Sequence, residues 1–103
     1  MPAIVYVTHP ESGIKEFAQA LVERRVAACV NILPAAQSIY RWEGKVEASE
    51  EHLLIIKTDE TRLEELEAAV LELHPYDVPE FVAVKTIRVS DAYQAWLQDA
   101  VSK

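Results

Sequence analysis

Glycine is nearly missing from this chain: Gly13 and Gly44 are the only two in 103 residues. A sequence that is half hydrophobic and this poor in glycine is neither a flexible linker nor a low-complexity segment. It also has no glycine-rich loop to cradle phosphates, and no HExxH, CxxC or EF-hand pattern. Cysteine is scarcer still. Cys29 stands alone, so no disulfide can close within the chain and the redox compartment is unconstrained. No apolar run approaches membrane-spanning length, so no membrane partner is expected. Met1 to Thr8 lacks a basic region and a cleavable apolar segment, so a cytoplasmic location is expected. Positive charge is also in short supply. Ten Lys and Arg against seventeen Asp and Glu leave a formal net charge of -7, which argues against a nucleic-acid partner.

What remains is a chain of a size for one domain. It is organised around Cys29 to Thr58, where two runs rich in β-branched and aromatic residues flank Glu43-Gly44-Lys45. That is the sequence form of a long hairpin. Each arm holds about twelve or thirteen residues and would reach about 40 Å if straight. Domains of this length are usually narrower. The hairpin is therefore expected to bend near Pro34 and to protrude at its far end, with the polar Glu47 to Glu51 in the protruding part.

The rest of the chain supplies the other layers. Ile4 to Val7 predicts a short buried strand, and His9-Pro10 reads as a turn. Ser12 predicts the cap of a helix carrying Ile14, Phe17, Ala18 and Leu21, which ends near Arg25 or Val26. Thr61 and Glu64 match a capping box for a second helix with Leu63, Leu66, Val70 and Leu73, stopped by His74-Pro75. Phe81 to Ile87 predicts the fourth strand. Ser90 opens a last helix with Tyr93, Trp96, Leu97 and Ala100 on its apolar face. The order predicts an α+β, ferredoxin-like β-α-β-β-α-β sandwich with a C-terminal helix and a long hairpin between strands two and three. Both helices would then lie on one face of the sheet. Yet Leu53-Leu54-Ile55-Ile56 is apolar at both strand parities, so the opposite face is expected to be covered by another subunit.

Few residues invite chemistry. Cys29 is either a small buried hydrophobe or a soft-metal ligand, and Asn31, at the same parity, either satisfies backbone groups or orients a ligand. Lys57 is either a solvated strand end or the cation of a cleft that pairs with Glu80 or holds a small anion. The densest polar stretch is His74-Pro75-Tyr76-Asp77-Val78-Pro79-Glu80, stiffened by two prolines. It could bind a metal or a small molecule, or simply cap a helix and pack. No nucleophile arrives with a partner set, and the loop after Val7 lacks the arginine that an acylphosphatase-like catalyst would need.

Taken together these stretches resemble the CutA family of divalent-cation tolerance proteins. The likeness is carried by Leu21-Val22-Glu23, Ala27 to Ile32, Ser38 to Lys45, Lys57-Thr58, His74 to Glu80, Tyr93 and Trp96, in the family's order over nearly the whole chain. It implies a PII-like homotrimer whose hairpins cross subunit boundaries, with no enzymatic activity. It also implies a site near an intersubunit cleft. There Cys29, His74 and Glu80 are candidate ligands for Cu2+ or another divalent cation. Asn31, Lys57, Tyr76 and Trp96 are the other candidate binding residues: Lys57 and Asn31 would recognise an anionic or amide group of a small ligand, Tyr76 would donate to a metal ligand, and no organic cofactor is implied. The alternative reading is a small-molecule-responsive signalling or scaffold trimer.

Overall fold

The computed structural model describes residues 1–103. The four strands and three helices follow the predicted order, with an added 3-10 turn: β1 (Pro2–His9), α1 (Ile14–Glu23), β2 (Cys29–Trp42), β3 (Lys45–Asp59), the 3-10 turn at Glu60–Arg62, α2 (Leu63–Leu73), β4 (Val82–Lys85) and α3 (Asp91–Ala100). The strands form one open antiparallel sheet in the order β2-β3-β1-β4, as the ferredoxin-like arrangement requires. The hairpin of β2 and β3 stretches the molecule to 45 Å against 26 and 23 Å across.

The hairpin shape follows from three positive-φ residues. Glu43 (φ 49°) and Gly44 (φ 78°) make a two-residue turn with both central residues left-handed, which suits the right-handed twist of paired strands. Ala35 (φ 62°) marks a bulge between the pairs Leu33–Leu53 and Ala36–Glu51. Pro34 sits inside that bulge, where its missing N–H costs no ladder bond, so β2 bends without being interrupted.

Helix ends depart from the sequence reading in instructive ways. Ser12 does not cap α1. Gly13 occupies the cap position in the left-handed region, and no side chain caps the helix. The capping box of Thr61 and Glu64 is likewise unused. Asp59 accepts from the Thr61 N–H and Oγ1 at the head of the 3-10 turn, and α2 begins only after it. Ser90 does cap α3, accepting from the Tyr93 N–H. At the end of α1, Arg25 takes the left-handed position (φ 60°) that glycine usually fills. Its N–H donates to Val22 O, and that of Val26 donates to Leu21 O, closing a Schellman motif. Replacing Arg25 with glycine should raise unfolding stability by about 0.5–1 kcal/mol, by removing the Cβ penalty at this φ. Chemical denaturation would measure it; a loss of stability in Arg25→Gly would contradict the strain assigned to this position.

The core lies between α1, α2 and one face of the sheet. Val5, Val7, Leu54 and Ile56 face Phe17, Leu21, Leu66 and Val70 there. The opposite face carries Ile4, Tyr6, Leu33, Leu53, Ile55, Val82 and Val84, as the register dictates. None of these is fully buried. Leu54 and Ile56 are therefore enclosed within the chain, whereas Leu53 and Ile55 are left partly open. β4 is shorter than the predicted Phe81 to Ile87 and exposed along its length, while β1 is longer than Ile4 to Val7 and includes His9. On α3 only Leu97 of the predicted apolar face is buried, packing with Val101 on Ala28; Tyr93 and Trp96 are exposed and stacked on each other at 5.4 Å.

Candidate functional site

Two groups of polar side chains stand out, and they lie at different levels of the sheet. The first is on the open face. Cys29 and Lys57 are cross-strand partners, and Asn31 follows Cys29 at the same parity. The Lys57 Nζ donates to Asn31 Oδ1 at 2.6 Å, and the Cys29 thiol lies 4.0 Å from the same oxygen. Lys57 has no carboxylate partner. Its charge is held by an amide alone, leaving two ammonium hydrogens for other acceptors.

The second group gathers where the loop after α2 crosses the end of β1. His74, only 7% exposed, donates from Nε2 to Thr8 O at 2.7 Å and accepts at Nδ1 from the Tyr76 N–H at 3.1 Å. Both ring nitrogens are thus occupied, and the ring is neutral. Burial pushes its pKa down, assisted by nearby His9. The Tyr76 hydroxyl donates to Glu51 Oε2 at 2.8 Å; burial and this carboxylate raise its pKa to about 12. Burial, then the Glu51 charge, raises the Glu80 pKa. The loop is fixed by hydrogen bonds rather than by proline stiffness alone.

Cys29 and His74 are not neighbours. Cys29 pairs with Lys57, whereas Thr8, which His74 bonds, pairs with Leu53. Four residues of strand separate the two levels, about 14 Å. Nor do three His, Cys, Asp or Glu side chains converge anywhere in the chain to hold a metal. The structure thus brings Cys29, Asn31 and Lys57 into one group and His74 and Tyr76 into another, to which Glu80 is linked only through the charge of Glu51. Trp96 joins neither through a hydrogen bond or ring contact, and stacks on Tyr93. Two further polar residues were not singled out by the sequence. Glu51, placed by its polar surroundings in the protruding part, is only 6% exposed beneath Tyr76. His9, read as part of a turn, is 2% exposed at the end of β1 with its ring on Phe17 and His74 at 4.7 and 4.8 Å. The alternation Ala3, Val5, Val7, His9 carried that signal; Glu51 had none.

Comparison with known proteins is consistent along the whole chain. Residues 3–100 match the family model of the CutA1 divalent ion tolerance protein. The chain is 43% identical to the divalent-cation tolerance protein CutA of Thermus thermophilus, over 96% of this chain and 97% of that one. It is 48% identical to the chloroplastic protein CutA of Arabidopsis thaliana over 94% of its own length, but spans only 54% of that longer protein. Among solved structures, CutA from Xylella fastidiosa superposes with a TM-score of 0.94 at 33% identity, covering 98% of both chains. The Thermus thermophilus protein superposes with a TM-score of 0.93 at 44% identity, covering 97% of this chain and 98% of that one. With its open sheet, long hairpin and C-terminal helix, the chain belongs to the CutA1 divalent-ion tolerance family.

Proposed function

We propose that this protein acts in divalent-cation tolerance as a homotrimer that binds copper or a similar ion, and that it is not an enzyme. The observation that carries the assembly is the half-open apolar face of Ile4, Tyr6, Leu33, Leu53, Ile55, Val82 and Val84 beside an extended hairpin. A second copy laid on that face would remove it from water. In such an assembly the Cys29 group of one protomer could meet the Glu80 and Tyr76 loop of another, which 14 Å or so of strand prevents within one chain. Cys29 is the soft ligand and Glu80 the carboxylate. His74 would have to surrender one of its two hydrogen bonds to ligate, so its part is chiefly to hold the loop.

Calorimetric titration with Cu2+ tests the ligand set. Cys29→Ala should weaken the sulfur-linked binding event by roughly tenfold or more. A titration curve identical to that of the unaltered protein would remove Cys29 from the site. A second reading, a trimer that responds to a small anionic metabolite, is favoured by one feature: the Lys57 ammonium lacks any carboxylate partner and is presented beside Asn31. Anion binding by metal-free protein that disappears in Lys57→Met would support that reading over the copper one.

A further inference from the structure

We propose that His9 and Glu16 hold a divalent transition-metal cation within a single protomer, at the mouth of a cavity between the start of α1 and the end of α2. The cavity is about 310 Å³ and is lined by His9, Ser12, Gly13, Glu16, Phe17 and Leu73, among others. The decisive group is His9. Its Nδ1 lies 2.6 Å from Pro10 O, and a carbonyl can only accept, so Nδ1 carries the hydrogen. In the neutral ring Nε2 is therefore a bare lone pair.

That nitrogen has no hydrogen-bond partner, yet no sealed side-chain nitrogen or oxygen in the protein lacks one. Nε2 must therefore reach solvent although 98% of the residue is covered, the complement of its 2% exposure, and the cavity is the surface that His9 lines. The ring cannot readily swing away, since Phe17 and His74 hold it at 4.7 and 4.8 Å. An imidazole with one nitrogen tied to a backbone carbonyl and the other left free is held in one tautomer and one orientation, as a metal ligand needs to be. Glu16, exposed on the first turn of α1 and lining the same cavity, has neither a cation nor a hydrogen-bond partner to occupy its carboxylate.

Imidazole with carboxylate suits a borderline divalent ion, and Cu2+ binds such donors most tightly among the first-row ions. Ser12 lines the same cavity, and no third His, Cys, Asp or Glu converges, so the remaining positions would fall to water or the Ser12 hydroxyl. The placement deepens the cation-tolerance reading and rests on it for the class of ion. It requires neither Cys29 nor a second subunit.

The test is Cu2+ titration at neutral pH, combined with electron spin-echo modulation that detects the remote nitrogen of a ligated imidazole. The unaltered protein and Cys29→Ala should both show a site with one imidazole. Glu16→Gln and His9→Gln should each weaken it more than about tenfold, and His9→Gln should abolish the imidazole signal. Because Glu16 is exposed, its variant keeps the fold even if His9→Gln does not. Copper lost in Cys29→Ala but held unchanged in Glu16→Gln would overturn this site and leave the sulfur site standing. Copper lost in His52→Gln but not in His9→Gln would also overturn it, moving the ion to the adjoining recess lined by Glu11, Glu16 and His52.

Discussion

Ile55→Glu should convert the proposed trimer to a monomer at micromolar concentration while leaving the fold of each chain intact. Ile55 sits at the centre of the open face, opposite Tyr6 on one side and Asn31 on the other. Within one chain it is already partly exposed, so a carboxylate there can remain hydrated. Against another subunit the same carboxylate would lose its water, and Lys57, two residues along the same face, is already bonded to Asn31. Left uncompensated, a buried charge costs about 3–5 kcal/mol, repeated at every copy of the interface. Ile56→Ala provides the contrast, since Ile56 is fully buried between Val5 and Val30 on the helix-covered face. It should cost about 2–5 kcal/mol of stability without changing the assembly. Sedimentation velocity reads the first effect and denaturant unfolding the second. If Ile55→Glu sediments as the unaltered protein does, the open face is not the subunit contact. A dissociated variant should also lose any concentration dependence of its melting temperature.

The order of elements and the hairpin were legible because they rest on local chemistry. Glu43-Gly44 can make a tight turn, the runs on either side are β-branched and aromatic, and His74-Pro75 cannot continue a helix. The double apolarity of Leu53 to Ile56 was also legible, and the register explains it: Leu54 and Ile56 point into the core while Leu53 and Ile55 do not. Helix starts were less readable. Ser12 lost its capping role because Gly13 takes the left-handed conformation one residue later, and Asp59 displaced Thr61 by supplying its carboxylate to a 3-10 turn. The largest gap lay in long-range placement. Glu51 is buried because Tyr76, distant in sequence, comes to lie over it, and local sequence near Glu51 contains no trace of that contact. The same holds for the gap between Cys29 and His74, which depends on strand register and not on either residue's surroundings.

Acidification should unlatch the loop after α2, and His74 is the residue responsible. At neutral pH its Nε2–H binds Thr8 O while Nδ1 accepts from Tyr76, so one neutral ring ties β1 to the loop. A proton on Nδ1 would set two N–H groups against each other and place a charge among the rings of His9, Phe17 and Tyr76. Burial is the main cause of its lowered pKa, and His9 adds to it; the Thr8 carbonyl and the Glu51 charge pull the other way without reversing it. In the unfolded chain His74 takes its proton near the ordinary value of about 6.5. The unfolded state therefore binds more protons below that pH, and stability is whole above it and falls as the pH drops toward the folded-state value. Glu80, whose pKa is raised, contributes the opposite trend, so the comparison must be made between proteins that share it. His74→Gln should lower stability at pH 7.5 by about 1–3 kcal/mol, since a buried partner is lost. It should also flatten the decline between pH 7.5 and 5.5 seen in the unaltered protein. Denaturant unfolding across that range measures both. Parallel declines in the two proteins would mean that some other group, and not the ring between Thr8 and Tyr76, senses the acid.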